Sequence, residues 1–530
     1  MESKKAALIS VYEKEGLEDL AKALHKAGYI ILASGGTARK IEASGVAVTR
    51  VSDYTGQSEI LDGRVKTLHP KIYAGILSNR SIAEHQREIE ENFILPIDVV
   101  VINFYPFKEK LSEGLSLSEM LEYIDIGGPA ALRAAAKNFP SVWAVSSPSQ
   151  YSVLKEVLLS DSQSFKEEEL LALRREFARE AFKRTSIYDG EIFNFLMGKG
   201  KETSFSYPFF LSFQGEEEKV RYGENPHQRA AFLKSGNKSW RKLQGKELSY
   251  NNLLDLDAAS EVLRNLVDIV SFSGVKSSTF IFKHLTPCGA AFSDKSLLDS
   301  LLKAKSSDTK SHFGGIFVLF DSKKGEEEGK GSILPINGET AEEVIKDFAE
   351  LVVAFSYTDE ALEVFKRKKN LRVIEWQGEF SGIEYRSIQG GCLVQERDSI
   401  LVDEINQAGL TEGERQDLLL ALLCARLAKS NTVCLASGGK ILGVGAGQTS
   451  RVDSAEVAVW KAGLYKHNLS GAVAVSDGFF PFPDSLEILS KAGVKTVAAP
   501  LGSKNDDVVL QRARELGVKF IKLSRRHFRH

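Results

Sequence analysis

The chain is poor in sulfur and carries little net charge. Its four cysteines, Cys288, Cys392, Cys424 and Cys434, are scattered over 530 residues with no CxxC pair and no close metal-ligand spacing. That argues against a disulfide framework and suits reduced thiols in the cytosol. Lysine and arginine number 69 against 71 aspartate and glutamate, for a formal net charge of -2. No general affinity for nucleic acid or an anionic membrane is therefore expected, and any phosphate binding must be local. No apolar stretch approaches the roughly 20 residues that span a bilayer. The opening MESKKAALISVYEKEG has its apolar run broken at Ser10 and Glu13 and does not read as a secretory signal. A cytoplasmic protein is the expectation.

What is present is ordinary globular material: 43% hydrophobic and 26% charged residues, which excludes a largely disordered chain. The length exceeds the roughly 250–300 residues at which single cores stop growing, so two sizeable units are expected. The first stretch alternates AALIS, a helical run through Leu17, Leu20, Ala21 and Leu24, YIILA, a short helix ARKIEASG and VAVTRV. This βαβαβ pattern predicts a parallel sheet with helices on its faces. IDVVVINFYPF and SVWAVSS add strands, and residues 165 to 197 predict a long closing helix. A boundary is placed near residue 200, giving domains 1–200 and 201–530. The second part is again α/β, with strands in SSTFIF, GIFVLF, LVVAF, TVCLA, ILGVGAG, GAVAVS and VKTVAA and an internal split near residue 400.

Ser34, Gly35, Gly36 and Thr37 lie between a strand and a helix. Backbone N–H groups at a helix start, with glycines that admit a close ligand, make a phosphate cradle. GRVKTLHP sets Arg64, Lys66, Thr67 and His69 in one segment. IDIGGPAALRAAAKN carries Asp125, Arg133, Lys137 and Asn138 around a helix, with Arg133 and Lys137 four apart on one face. Open α/β sheets bind ligands at the carboxyl ends of their strands, where these cations border glycine turns.

SGGTA, GRVKTLHPKIYAGIL, NFYPF and DIGGPAALRAAAKN resemble the cyclohydrolase domain of the bifunctional AICAR (phosphoribosylaminoimidazolecarboxamide) formyltransferase/IMP cyclohydrolase family. The resemblance implies a methylglyoxal-synthase-like fold and closure of the second ring of formyl-AICAR. An amide nitrogen is a poor nucleophile, so the site must supply a base and cations for developing charge. The resemblance implies Asp125 as base, Lys66 and Lys137 as stabilising cations and Tyr105 in proton traffic. Lys14 joins Ser34, Gly35, Gly36 and Thr37 at the phosphate, and Arg64, Thr67, Asn103, Gly127, Gly128 and Asn138 complete the substrate-binding set. The alternative is that Tyr105 only packs and Asp125 only caps the glycine turn.

RYGENPHQ, SYNNLLDLDAA, KHLTPCGAA, SNTVCLASGGKILGVGAGQTSRVDSA, SDGFFPFPDS and RRHFRH resemble the formyltransferase domain of the same family, implying a cytidine-deaminase-like fold in two subdomains. A zinc deaminase needs a P-C-x-x-C pair, but Pro287-Cys288 is followed at the required place by Ala291, so no catalytic zinc is expected. The 5-amino group of AICAR is a conjugated, weak nucleophile that loses a proton as it attacks. His284 suits the base, and Lys283 the acid or oxyanion stabiliser. Neighbouring strand residues face opposite ways, so the backbone must turn for both to reach one substrate, and Pro287-Cys288-Gly289 is the expected turn. By resemblance Asn431 donates to the formyl oxygen, while Arg221, Tyr222, Gln448, Ser450, Arg451 and Arg526 bind the nucleotide. His530 joins them unless the end of the chain frays.

The chain departs from the family pattern at Thr286, at His312 and at AFSY over residues 354 to 357, which bears on the folate pocket and local loop shape. The implied function is formyl transfer from 10-formyltetrahydrofolate to AICAR, then dehydrative closure to IMP, by a homodimer whose transferase sites draw on both subunits. A structural potassium ion is compatible with the resemblance, although no sequence feature marks one. A single-activity transferase with a nucleotide-sensing first domain and a non-enzymatic nucleotide-binding regulator are the alternatives.

Overall fold

The computed structural model describes residues 5–105, 107–111, 113–160, 164–197, 217–233, 239–273, 275–323, 332–378, 382–399, 405 and 409–530. Two compact units divide the chain, Met1–Gln214 and Gly215–His530. The boundary expected near residue 200 falls outside the described residues.

In the first unit the chain runs β1 (Lys5–Ser10), α1 (Leu17–Lys26), β2 (Tyr29–Ala33), α2 (Gly35–Ala43), β3 (Thr49–Arg50) and α3 (Val51–Thr55). It continues through α4 (Pro70–Leu77), α5 (Ala83–Glu91), β4 (Ile97–Ile102), α6 (Phe107–Leu111), α7 (Leu117–Leu121) and α8 (Gly127–Lys137). β5 (Trp143–Val145), α9 (Tyr151–Leu159) and α10 (Glu167–Met197) complete it. The five strands form one parallel sheet in the order β3-β2-β1-β4-β5. Strands buried on both faces read as continuous apolar runs, which is why AALIS and VVVI are so uniformly hydrophobic. Ala7, Ile9, Val99 and Val101 meet α1, α2 and α9 on one face. Ala6, Leu8, Val100 and Ile102 meet α4, α8 and α10 on the other. VAVTRV contributes only two paired residues at the sheet edge before α3 begins at Val51.

The second unit opens with β6 (Glu217–Lys219), β7 (Ala231–Leu233) and β8 (Trp240–Gln244). Next come α11 (Tyr250–Ser273), β9 (Ser277–Lys283), β10 (Thr286–Ser293), α12 (Leu297–Ser307), β11 (Gly315–Lys323) and β12 (Ser332–Leu334). α13 (Gly338–Lys346), β13 (Ala349–Ala354), α14 (Asp359–Lys366), β14 (Arg372–Trp376), β15 (Ile383–Ile388) and β16 (Gly391–Glu396) follow. A second series runs α15 (Glu412–Leu427), β17 (Val433–Ser437), β18 (Lys440–Gly445), α16 (Arg451–Leu464) and β19 (Val473–Ser476). It ends with α17 (Asp484–Lys491), β20 (Thr496–Pro500), α18 (Asp506–Glu515) and β21 (Lys519–Leu523).

These two series repeat one plan: a core helix, a hairpin, a helix, a strand antiparallel to the hairpin's first strand, and two parallel strands each reached through a helix. β10 meets β18 at Ala291 and Lys440, fusing both halves into one sheet ordered β21-β20-β19-β17-β18-β10-β9-β11-β13-β14-β8. α11 and α15 share one buried face with Phe280, Phe282, Phe292, Val318 and Val475. α12 to α14 and α16 to α18 cover the other face in two clusters.

The repeat extends to single residues at constant spacing. Ser296 and Ser450 accept from the N–H of Asp299 and Asp453 to cap α12 and α16. Gly289 of β10 and Gly443 of β18 lie so close to these helices that an added Cβ would sit 2.2 Å from Ala304 O and Ala458 O respectively. By contrast, Gly463 within α16 has open space where a Cβ would go. Gly443→Ala should lower the unit's stability by about 1–3 kcal/mol through overpacking, whereas Gly463→Ala should leave it unchanged or raise it by up to about 1 kcal/mol. Urea unfolding of the two variants checks this; equal midpoints would contradict the close approach.

Candidate active sites

The first sheet changes direction at β1 and β4: the chain builds outward from β1 through β2 and β3, and from β4 to β5. Ligands of open α/β sheets sit at such a switch point, outside the carboxyl ends of the strands. Here Asn103, just past β4, holds the loop that follows β1. Its Oδ1 accepts from Tyr12 N–H (2.6 Å) and Glu13 N–H (3.1 Å), and its Nδ2 donates to Glu13 O (3.0 Å). Lys14 is thereby carried over the start of α2, where its Cε lies 3.9 Å from the position of a Gly36 Cβ. Ser34 is the N-cap of α2 and Gly35 takes φ +51 with open space beside it. The N–H groups of the first helical turn have no intrahelical partner, so a lysine and a bare helix start face one opening. The Thr37 hydroxyl is turned inward, bonded to both N–H and C=O of Val11. What Thr37 presents to the opening is its backbone N–H.

The start of α8 supplies a carboxylate. Asp125 Oδ1 accepts from Gly128 N–H (3.0 Å) and the carboxylate is also bonded by Gly127 N–H. A Cβ on Gly128 would lie 2.4 Å from Asp125 Oδ2, and one on Gly127 would lie 3.0 Å from the buried Thr67 Oγ1. Both glycines are needed for these approaches. Asp125 N–H donates to Tyr188 OH (2.7 Å), which donates to Tyr123 O (2.9 Å). Burial raises the Asp125 carboxyl above its ordinary value, against the lowering effect of the two glycine N–H groups and Lys66. Burial and the Asp125 charge push the nearby Tyr73 phenol up to about 12. Tyr73, whose hydroxyl is buried with no hydrogen-bond partner among the described residues, carries no sequence signal. Tyr105 is not a core residue: it is 42% exposed, with its ring 5.0 Å from Tyr12 and 6.1 Å from Tyr123. Lys66 lies 3.5 Å from Glu59 and Arg64 pairs with Glu122.

Two residues expected at this site stand elsewhere in the unit. Lys137 ends the 11-residue α8, about 15 Å along the axis from Gly127 at 1.5 Å per residue. It lines an open groove of about 870 Å³ with Arg133, Arg175 and Arg179. Asn138 is buried and donates to Ile76 O (2.7 Å) and Ser78 O (2.9 Å), closing the end of α4. The helix expected in this motif is the reason: its full length separates Asp125 at one end from Lys137 and Asn138 at the other.

In the second unit Lys283 and His284 form the tip of the β9–β10 hairpin. The turn is made by His284 (φ +53) and Leu285 (φ +61) themselves, with Lys283 paired to Thr286. The expected Pro287-Cys288-Gly289 turn lies within β10 as a bulge. Two positive φ angles match the right-handed twist of a two-residue hairpin, but glycine is the usual occupant. Side chains there cost about 1–2 kcal/mol each, the kind of local cost that clusters at functional sites. Lys283 Nζ donates to Phe313 O (2.9 Å). Burial pushes the Asp255 carboxyl, on α11, up to about 6, against the lowering influence of His284 and the Leu285 N–H. The motif SYNNLLDLDAA contained Asp255, yet nothing in it pointed to the hairpin.

Asn431 lies at the same sheet edge, because β9, β10, β18 and β17 alternate in direction. Two to three strand spacings separate it from the His284 turn, about 10–14 Å. Its Nδ2 donates to Gln448 O (2.9 Å) and Thr449 O (3.2 Å). Oδ1 is therefore the atom it presents, an acceptor in place of the expected donor to a formyl oxygen. Asn431, Ser450, Arg451, Phe482, Asp484 and Phe528 border a cleft of about 430 Å³. Arg451 is buried with Nη1 engaged by Asp477 and by Thr432 O, so it does not present the two-pronged fork that a phosphate would use. Ser450 caps α16 and Gln448 Nε2 donates to Ala446 O (2.9 Å).

Phe528 lies between Arg451 (5.9 Å) and Arg526 (4.9 Å), with His530 at 6.1 Å. The last residues are tied down: Ser430 N–H donates to Arg529 O (2.9 Å), Arg529 N–H donates to Ser430 Oγ (3.1 Å), and buried His527 pairs with Asp398. Arg221 stacks on Tyr222 at 5.6 Å, in a loop bonded to α11 through Asn251 Nδ2 and Glu224 O (3.4 Å). No hydrogen bond or ion pair joins that pair to the His284 turn among the described residues. Of the departures, His312 bonds Asp308 O (3.1 Å) and pairs with Asp347 (3.4 Å). The buried Tyr357 hydroxyl donates to Ile374 O (2.8 Å).

The family model "AICARFT/IMPCHase bienzyme" matches residues 135–461 and the "MGS-like domain" model matches residues 16–130. A protein of Aquifex aeolicus named "Bifunctional purine biosynthesis protein PurH" is 40% identical over 99% of this chain and 100% of its own length. The same name, identity and coverage hold for a Thermoanaerobacter protein. A Corynebacterium glutamicum protein of that name is 39% identical over 99% of this chain and 98% of its own. A solved structure titled "Crystal structure of ForH" aligns with 36% of this chain and 97% of its own at 32% identity and a TM-score of 0.32.

Asn103→Ala should free the loop after β1, leaving two N–H groups without their acceptor at a cost of about 1–3 kcal/mol. Faster hydrogen exchange at Tyr12 and Glu13 is the expected readout; unchanged exchange would show that the loop is held by something else.

Proposed function

This chain belongs to the AICARFT/IMPCHase bienzyme family, and we propose how its two sites divide that family's reactions. The protein is a bifunctional enzyme of purine biosynthesis, an AICAR formyltransferase and IMP cyclohydrolase that takes its formyl group from a folate. It is not a transferase with a merely sensing first domain. Among the described residues no helix is long and apolar enough to cross a membrane. We assign 10-formyltetrahydrofolate as the donor and the cytoplasm as the compartment.

Formyl transfer falls to the second unit. The 5-amino nitrogen of AICAR attacks the formyl carbon, the imidazole of His284 takes the proton it loses, and Lys283 stabilises the tetrahedral oxyanion. The C–N bond to the folate then breaks and the folate nitrogen regains a proton. The observation that carries this reading is the positive-φ hairpin tip that holds Lys283 and an exposed His284 at one sheet edge. Asn431 at the same edge supplies an acceptor for a substrate N–H. Arg526 and Phe528 suit the nucleotide, together with Arg221, Tyr222, Gln448, Ser450 and His530, while Arg451, buried against Asp477, supports Phe528 from below.

Ring closure falls to the first unit. Lys14 and the start of α2 take the ribotide phosphate, and Asp125 removes the carboxamide proton as that nitrogen attacks the formyl carbon. Lys66 and Tyr105 assist the charge and proton transfers before water leaves. Arg64, Thr67, Asn103, Gly127 and Gly128 frame the same opening. Lys137, a helix length away, fits this site only if a second copy brings its own Lys137 to the Asp125 end, which supports a homodimer.

His284→Ala should slow transfer about 100-fold or more while leaving closure of supplied formyl-AICAR unchanged; wild-type transfer would sink the assignment. Lys66→Ala and Lys137→Ala should each lose closure, and mixing the two proteins should restore activity that neither has alone. No recovery on mixing would put Lys137 outside a shared site. A base must be deprotonated, and burial holds Asp125 above the ordinary 3.8. Closure should therefore fall as pH drops through a value above 3.8, and a limb at or below it would contradict the role.

A further inference from the structure

One buried carboxylate in the second unit gathers cations from three separate segments. Glu261, on the core helix α11, is 6% exposed. It accepts from Arg397 Nη1 (2.7 Å), just past β16, and from Arg529 Nη1 (3.0 Å), in the segment after β21. Arg426 of α15, the core helix of the other half, brings its Nη1 to 3.7 Å. Asp257, one turn earlier on the same face of α11, holds Arg397 as well, through bonds of 2.9 and 3.0 Å. A buried charge persists only when it is paired and hydrogen-bonded, and here the pairing reaches across the chain.

What the cluster ties down is residues 526–530. Buried His527 is anchored by its ring to Asp398 (2.7 Å), which follows Arg397, and by its N–H to Asp477 O (2.8 Å). Arg529 is anchored by its side chain to Glu261. Its backbone exchanges two bonds with Ser430, the residue before Asn431: Ser430 N–H to Arg529 O (2.9 Å) and Arg529 N–H to Ser430 Oγ (3.1 Å). Between these anchors stands Phe528, which borders the 430 Å³ cleft with Asn431 and carries Arg526 over its ring at 4.9 Å.

We propose that Glu261 is a positioning residue for formyl transfer: by holding Arg529 it fixes this segment against Ser430 and sets Arg526 and Phe528 beside Asn431 before the nucleotide arrives. The proposal rests on the reading that Arg526 and Phe528 take the nucleotide. Residues 524–530 form neither helix nor strand, so side-chain anchors supply much of their order. With the Glu261 anchor removed, the cost of ordering the segment falls on binding. The loss should therefore appear in KM rather than in kcat.

Glu261→Gln keeps the shape and a carbonyl acceptor but removes the charge. Arg529→Gln cuts the same link from the other side and leaves Glu261 paired with Arg397 and Arg426, so it tests the link without burying an unmatched guanidinium. In each, KM for AICAR in the transfer reaction should rise about 10-fold, roughly the worth of one hydrogen bond, with kcat within about 2-fold of wild type. Closure of supplied formyl-AICAR should be unchanged, and hydrogen exchange at the Ser430 and Arg529 N–H groups should be faster. The double variant should be no weaker than either single one, because both remove one interaction. Arg529→Lys, which keeps the charge, should recover most of the affinity.

Wild-type KM and exchange in both variants, beside a raised KM in Arg526→Ala, would overturn the proposal alone. Wild-type KM in Arg526→Ala would overturn the reading beneath it. A fall in kcat at unchanged KM would assign the link to the chemical step, and loss of closure together with transfer in Arg529→Gln would assign it to folding; either overturns the proposal as well.

Discussion

The backbone of a two-residue turn, held at positive φ between two paired and buried strands, is the constraint on which the second site depends. Residues with side chains resist positive φ, so the His284-Leu285 tip depends on the pairing of β9 and β10 on either side of it. The apolar face of α11 packs with Phe280, Phe282 and Phe292 of these strands in one core. Packing of the sheet against that helix thus fixes the strands that carry His284, the proposed base, at the surface. The same plan in the other half, with glycines at the tip and Asp417 beneath, separates what the fold needs from what the chemistry adds.

The first site is built on a different constraint. Its ligand-facing groups come from the ends of parallel strands and from helix starts, so most of its polarity is backbone. Asp125 does two things there. It accepts the N–H groups of Gly127 and Gly128, which pulls its carboxyl down, and it is buried, which raises it by more. Capping and base catalysis are therefore compatible at one carboxylate: the cap fixes where the group points and burial keeps it basic.

Much of this was legible in the chain. The apolar runs that are buried on both faces appeared as strands, and SGGT does sit at a helix start. The Lys283-His284 pair is at a strand end as its apolar approach implied. What could not be read were distances across intervening structure. Proline and glycine are the strongest turn cues, so Pro287-Cys288-Gly289 drew the turn away from His284-Leu285, whose side chains argue against it. Lys137 and Asp125 flank one motif yet occupy opposite ends of a helix. The resemblance implies a donor role for Asn431, but which of its atoms faces the cleft depends on Gln448 and Thr449 carbonyls that only folding brings near. The repeat escaped notice because its two halves share geometry and a few glycines and caps, not residues at the hairpin tip.

The central claim is that the His284 imidazole reaches the nitrogen that is formylated. A crystal structure of the protein with AICAR and a folate analogue measures this directly. The account expects the 5-amino nitrogen within hydrogen-bond reach of a His284 ring nitrogen, about 2.6–3.2 Å, directly or through one water, with Lys283 Nζ towards the formyl oxygen. An AICAR base bound elsewhere in the unit, with the hairpin tip facing only solvent, would contradict it.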